Sequence, residues 1–275
     1  MMELNNITWY SYHGALLPKV EPHIELNISK KEAKQLLKKS GAYFLRYTTE
    51  WDSEKVGEFW YVINDTFSEM DVFSANTRSK IRRGFKNCWV EKVTKEEISK
   101  SAYEVYSKAF ERYDTPLKVS SKKVFTKNII ESEGYDYFAV YEKKSNLMIA
   151  YSSNKIVNGV CNYTTIKFHP NYLKLYSSYV LFYEMNQYYL ESKAFLYVHD
   201  GARSIAHDTN IHDFLIDKFR FRKSYCRLNI IYRWDIALII NILYPFKSLI
   251  EKSNHHIFKK IFIVLKQEGI RRSFE

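Results

Sequence analysis

Three runs rich in aromatic and β-branched residues follow one another at 135–142 (YDYFAVYE), 147–157 (LMIAYSSNKIV) and 160–168 (VCNYTTIKF). Lys143–Asn146 and Asn158–Gly159 separate them. Asn-Gly is a strong hairpin signal, because the tight turn that matches strand twist needs φ > 0 at both residues. The spacing therefore predicts consecutive antiparallel strands. A helix at about 175–190 comes next, with Leu175, Tyr179, Phe182, Met185 and Tyr189 at spacings of 4, 3, 3 and 4. Ala194–Tyr232 then reads as a strand at Phe195–His199, a polar turn over Asp200–Asn210, a short helix, and a strand ending in Asn229–Tyr232. Strands and helices mixed in this way predict an α+β chain.

Upstream, Ser29–Lys30–Lys31–Glu32 is a capping box opening a helix with Ala33, Leu36 and Leu37 on one face, and Gly41 sits where such a helix stops. YFLRYTTE (43–50) and EFWYVIND (58–65) read as an antiparallel pair. Residues 76–87 read as a helix with Ile81 and Phe85 inward and Arg78, Arg82, Arg83 and Lys86 outward. WVEKV (89–93) reads as a strand. Thr94–Lys95–Glu96–Glu97 then opens a helix carrying Ile98, Ala102, Val105 and Ala109, and Ser120 or Ser121 caps another with Phe125 and Ile129 inward. The expected divisions are 1–88, an N-terminal β/α extension, 89–233, and a helical tail at 234–275.

Charge narrows the partners. The chain of 275 residues carries a net charge of +11, which favours an anionic partner. Residues 76–88 hold five basic residues and no acidic one. The cysteines, at 88, 161 and 226, share no short spacing, which argues against a zinc ribbon or a CxxC redox motif and for a reducing compartment. MMELNNITWY lacks the basic and apolar regions of a secretory signal, so a cytoplasmic location is expected. No P-loop, GxGxxG or Ser-His-Asp spacing stands in the sequence, so nucleotide hydrolysis and dinucleotide redox chemistry are not expected.

Two stretches carry candidate chemistry. Lys174–Ser178 opens the 175–190 helix, where unpaired N–H groups and the positive dipole end suit an anion, and Lys174, Ser177 and Ser178 add donors. Asp200 follows a strand end, where open sheets expose ligands. In acyl transfer to an amine, a base must take a proton from nitrogen. His207 is the favoured base because an unperturbed imidazole titrates at about 6.5. Asp200 would orient the imidazole or bind the acceptor, and Arg203 would hold an anionic group bidentately.

From Trp89 the predicted order is β-α-α-β-β-β-α-β-α-β. That order resembles the GNAT acyltransferase fold over about 145 of the 275 residues. The C-terminal half is similar to the Fem-type branch, the peptidoglycan-bridge aminoacyltransferases. The similarity lies in Arg78–Ser79–Lys80–Ile81–Arg82–Arg83, the apolar helix Tyr179–Tyr189, the pair Asp200–Gly201, and Phe219–Arg220–Phe221. Leu173–Ser178 departs from the acetyltransferase pattern, having no glycine where ordinary members carry a Gly-rich loop. The resemblance implies a GNAT-like mixed sheet flanked by helices. It also implies N-acyl transfer by direct attack, with an acyl-CoA or aminoacyl-tRNA donor, no metal, and an amine acceptor such as an amino sugar or envelope precursor. Main-chain donors of a splayed strand at Tyr163, Thr164 and Thr165 would orient the donor carbonyl, and Arg78, Arg82, Arg83 and Lys86 would meet tRNA. The alternative is a non-catalytic binder of RNA or anionic lipid on the same scaffold.

The tail has its own pattern. Trp234–Ile250 is apolar, but eleven residues separate Asp235 from Lys247, well short of the roughly 20 that a spanning helix needs. With the basic amphipathic pattern of 255–270, docking on an anionic bilayer surface is expected.

Overall fold

The structure, a computed structural model, describes residues 2–4, 6–111, 118–205, 210–253 and 255–274. The chain divides into two units, one of Met1–Tyr61, Ala202–Thr209 and Lys223–Glu275, the other of Val62–Gly201 and Asn210–Arg222.

In the first unit, β1 (Met2–Leu4), β2 (Ile7–Tyr12), β3 (Ala15–Pro18), β4 (Phe44–Thr49) and β12 (Arg227–Tyr232) lie side by side in that order. Helix α1 (Lys30–Ser40) starts at the capping box, where Glu32 N–H donates to Ser29 Oγ and Ser29 N–H to Glu32 Oε2. It stops at Gly41, whose φ of 69° lets its N–H turn back to Leu37 O. Leu36 and Leu37 cover the sheet with Trp9, Leu16 and Leu45. The runs at 43–50 and 58–65 do not form the expected antiparallel pair. β4 pairs antiparallel with β12, from Phe44↔Tyr232 to Thr49↔Arg227, and parallel with β3. β5 (Trp60–Asn64) belongs to the other sheet. Local pattern identifies a strand, but its partner is set by faces that need covering far along the chain.

The tail holds α8 (Trp234–Leu243), a 3-10 turn at Tyr244–Phe246, α9 (Lys247–Glu251) and α10 (His256–Arg272). The second half of α10 packs into this unit's core. Ile270 joins Phe59, Cys226, Leu228 and Ile230, while buried Glu268 accepts from Tyr232, Arg271 and Arg272 at 2.7–3.0 Å.

In the second unit neighbouring strands run β5, β10 (Tyr197–Ala202), β9 (Val160–Phe168), β8 (Met148–Val157), β7 (Tyr135–Glu142) and β6 (Cys88–Val93). β7 to β9 are antiparallel as expected, β6 adds antiparallel to β7, and the turn residues Asn158 and Gly159 take φ of 48° and 75°. Alternation divides the sheet's side chains between two layers. Tyr137, Ala139 and Tyr151 face α3 (Lys95–Ser101), α4 (Tyr103–Phe110) and α5 (Lys122–Ile130). Phe138, Ser152 and Asn154 face α6 (Ser177–Asn186) and the π-helical turn Gln187–Ser192 that continues it. Helices α2 (Ala75–Asn87) and α7 (Asn210–Phe219) share this second layer; α2 lies on α6, while Phe219 of α7 meets Tyr179 and Phe182. Short β11 (Arg222–Tyr225) follows α7.

Several boundaries move. The helix expected from Thr94 is two, α3 and α4, meeting at Ala102. The 175–190 helix starts at Ser177, after a 3-10 segment at Pro170–Leu175. Asp200 and Gly201 belong to β10 rather than to the polar turn. Arg78 does not simply point outward. It turns back to donate to Asp71 O at 3.0 Å and Phe73 O at 2.7 Å, tying down the chain ahead of α2.

Candidate active site

Strands β9 and β10 run parallel but pair only over Val160–Asn162 with Tyr197–His199. Beyond Asn162, the described pairings of β9 are with β8 alone. The β8–β9 register also slips there. Asn154 pairs with Tyr163 and Ser153 with Thr165, leaving Thr164 as an exposed bulge. A bulge turns main-chain groups out of the ladder, so the strand presents donors and acceptors where the two strands part.

Helix α6 is the crossover between these parallel strands and runs antiparallel to them. Its N-terminus therefore lies at the end where they separate. Tyr176 caps it with φ 60° and ψ 33°, the left-handed conformation that glycine takes at little cost. The loop thus reaches this geometry without a glycine. Ser177 is buried, Ser178 is half-buried and Lys174 is exposed.

Helix α2 brings the basic segment to this turn. Arg83 lies 4.7 Å from the centre of the Tyr176 ring, and Lys80 Nζ donates to Tyr179 Oη at 3.3 Å. Gly84 makes the approach possible. A Cβ there would meet Val180 Cγ1 at 2.5 Å and Tyr176 O at 3.0 Å, and Val180 is fully buried. Gly84→Val is expected to lower unfolding free energy by about 1–3 kcal/mol through overpacking, read from the urea midpoint. An unchanged midpoint would mean that α2 is not held against α6. Arg82 and Lys86 are exposed.

At the other side of the parting, Asp200 is the next residue of β10 after its last pairing with β9. Its carboxylate Oδ2 lies 3.4 Å from His212 Nε2, and its main-chain O lies 3.1 Å from the same nitrogen. Both side chains are largely buried. Burial pushes Asp200 up, and His212 pulls it part of the way back. For His212, burial favours the neutral ring, but the Asp200 carboxylate and carbonyl outweigh it, so the imidazole titrates above its ordinary value. Tyr163 of β9 is a further buried group. Burial first, then nearby Cys161 and Asp200, keep its phenol protonated well beyond neutral pH, and it donates to Asn186 Oδ1 at 2.8 Å. His199 is buried and driven down to about 3, so its ring is neutral at pH 7, and its Nδ1 accepts from Gly201 N–H at 3.2 Å.

Two buried polar atoms beside the bulge, Ser153 Oγ and Asn154 Oδ1, have no hydrogen-bond partner among the described residues. Such atoms cost about 1–3 kcal/mol each and are retained where a ligand or water completes them.

Of the residues expected from sequence, Tyr163, Thr164 and Thr165 lie on β9 and Asp200 on β10 past their last shared pairing, while Ser177 and Ser178 open α6 and Arg83 stacks on Tyr176 just ahead of them. Arg203 belongs to the other unit, where it donates to Glu58 O at 2.7 Å. His207 lies outside the described residues. His212 was not singled out by sequence; its signal is a histidine in the first turn of the helix that follows the Asp200 strand. Described cavities of about 360 and 700 Å³ are lined, the first by residues 93–95 and 132–137, the second by residues 64–69 with Asp71, Val72 and Arg220, and not by any of these site residues.

No protein-family model matches the sequence, and no curated protein matches it by sequence. Solved structures do match the fold. The C-terminal domain of an assigned lysylphosphatidylglycerol synthetase from Agrobacterium fabrum is 11% identical, with a TM-score of 0.54, covering 86% of this chain and 83% of that one. L-PGS from Bacillus licheniformis is 11% identical, again with a TM-score of 0.54, covering 97% and 86%. At these identities the likeness shows the fold, which is the GNAT-like α+β arrangement that the order of elements predicts.

Proposed function

We propose that the chain is an N-acyltransferase, moving an acyl or aminoacyl group from a thioester or ester donor onto an amine. The observation that carries this reading is the parting of β9 and β10 after Asn162 and His199, with the Thr164 bulge on one side and the Asp200–His212 pair on the other. Donor phosphates would sit at the head of α6, on the N–H groups of Ser177 and Ser178, with Lys174 and Arg83 supplying positive charge. The acyl arm would enter between the strands, and the main-chain donors of Tyr163–Thr165 would hold its carbonyl oxygen, where charge develops.

The amine nitrogen then attacks the carbonyl carbon directly. Its proton passes to the His212–Asp200 pair, and the C–S or C–O bond breaks as the tetrahedral carbon collapses. The departing thiolate or alkoxide takes up a proton from solvent, and the imidazolium returns its own proton to solvent. In this reading Asp200 orients His212, the imidazole that lies beside it.

Both donor classes fit a phosphate site beside a basic helix, acyl-CoA through its pyrophosphate and aminoacyl-tRNA through its backbone. Thermal-shift titration against acyl-CoAs and charged tRNA separates them, since a bound donor raises apparent stability by mass action. In the protein with Ser178→Asp, a carboxylate faces the donor phosphates, and affinity is expected to fall at least tenfold, about 1.4 kcal/mol. A folded Ser178→Asp protein with unchanged donor affinity would remove the site from α6. A chain that binds RNA but neither transfers an acyl group nor loses affinity in this variant would be a binder instead.

A further inference from the structure

Among the described residues, nine of the twenty-one exposed large apolar side chains fall between Trp234 and Ile263, so exposed apolar surface is concentrated in the tail helices. α8, the 3-10 turn and α9 follow one another with no intervening loop. Along them Trp234, Leu238, Ile242, Phe246 and Leu249 are spaced 4, 4, 4 and 3 and are all exposed, Trp234 by 79% and Leu249 by 65%. That spacing keeps side chains on one face of a helical path. Fifteen residue steps at helical rise make a stripe of roughly 22 Å.

The stripe is not a loose end. Ile240 and Ile250 point the other way and form a buried cluster with Leu265 of α10, which holds the apolar face in place. The structure thus corrects the extent of the docking surface expected from sequence. The second half of α10, with Leu265, Glu268 and Ile270, is core, and only its first turns continue the exposed surface through Ile257 and Phe258.

Charge selects what could cover this face. Residues 234–260 carry Lys247, Lys252, Lys259 and Lys260 against Asp235 and Glu251, and Asp235 is already held by Arg233 at 2.7 Å. Lys259 and Lys260 are exposed directly after Phe258. A second copy would set one basic rim against another. A leaflet with anionic headgroups offers hydrocarbon for the stripe and negative charge for the rim. The exposed tryptophan at the head of α8 suits the headgroup level, where indole is enriched. Among the described residues, no helix is long and apolar enough to cross a membrane.

We propose that α8, α9 and the first turns of α10 form an in-plane docking surface for an anionic lipid bilayer. The stripe enters the headgroup boundary, and Lys259 and Lys260 bind lipid phosphates. This goes beyond acyl transfer and does not depend on it, because the readout is partition and not turnover. The test is co-flotation of the full chain with phosphatidylcholine vesicles made with and without phosphatidylglycerol. The unmodified chain is expected to float with the phosphatidylglycerol vesicles, less so as salt is raised. Leu238→Glu/Ile242→Glu changes two exposed positions and is expected to lower partition by at least tenfold, on the order of what burying several apolar side chains supplies. Lys259→Glu/Lys260→Glu is expected to abolish the preference for phosphatidylglycerol. Leu147→Glu, at an exposed apolar site in the other unit, is expected to float like the unmodified chain. Circular dichroism confirms the folding of each variant. Failure of the unmodified chain to float, or equal flotation of the Leu238→Glu/Ile242→Glu chain, overturns the proposal. So does a dimer seen by sedimentation that this double variant dissociates and that does not bind vesicles.

Discussion

Asp200→Asn is expected to lower turnover by about 10²–10⁴-fold while leaving donor affinity nearly unchanged, the size typical of losing a positioned acid or base. The reason lies in the Asp200–His212 geometry. A carboxylate at 3.4 Å and a carbonyl at 3.1 Å hold one imidazole nitrogen, and together they raise a ring that burial alone would lower. A base works when unprotonated, so activity rises with pH through the raised pKa of His212. With Asn at 200 the carboxylate is gone, the imidazole pKa falls, and the rising limb of kcat/KM against pH moves down. Its plateau falls with it, because the ring is no longer oriented. A purely structural aspartate would lower activity without moving the limb. His212→Gln should be as severe, and Asp200→Asn/His212→Gln should be little worse than His212→Gln alone, since the two act as one unit. Near-normal turnover in either single variant would remove the pair from the chemistry.

Acidification is expected to destabilise the protein strongly between pH 6.5 and 3, with His199 a named cause. Burial depresses this imidazole from 6.5 to about 3 in the folded state. A group depressed on folding contributes stability that is fully present above its unfolded pKa and is lost as pH falls through the folded one. Each pH unit in that window therefore costs about 1.4 kcal/mol from this side chain, a sizeable share of a typical stability margin. His212 has the opposite sign and another window. Its folded pKa is raised, so its contribution is complete below pH 6.5 and is lost as pH rises above it. Urea midpoints of the unmodified chain and of His199→Gln, measured from pH 7.5 down to 4.5, isolate the effect. The variant keeps an acceptor for Gly201 N–H and does not titrate, so its loss per pH unit should be smaller by about 1.4 kcal/mol. Parallel curves would show that His199 is not buried neutral.

Much of the second unit was legible locally. Turn chemistry at Asn158–Gly159, the Ser121 cap and the two-residue alternation of 135–168 act between near neighbours, so the strands and most helices stand where the sequence places them. The polar character of Asp200 and the small residues that open α6 were also legible, because a side chain's chemistry does not depend on its partner. β1, β2 and β3 were not anticipated; the exposed residues of β2 (Tyr10–Tyr12) give it little of the half-buried alternation that betrays a strand.

The sequence by itself determined most strands and helices of the second unit, the basic character of 76–88 and the apolar character of the tail, since composition and spacing act within a few residues. Only the tertiary structure decided that β4 pairs with β12 across some 180 residues, that Gly84 lets a basic helix lie on the head of α6, and that His212 is the imidazole beside Asp200. It also decided that one face of the tail is core and the other an exposed stripe. Each of these is a choice of partner, made where distant surfaces must be covered or distant charges paired, and the energy of that choice is absent from any local window.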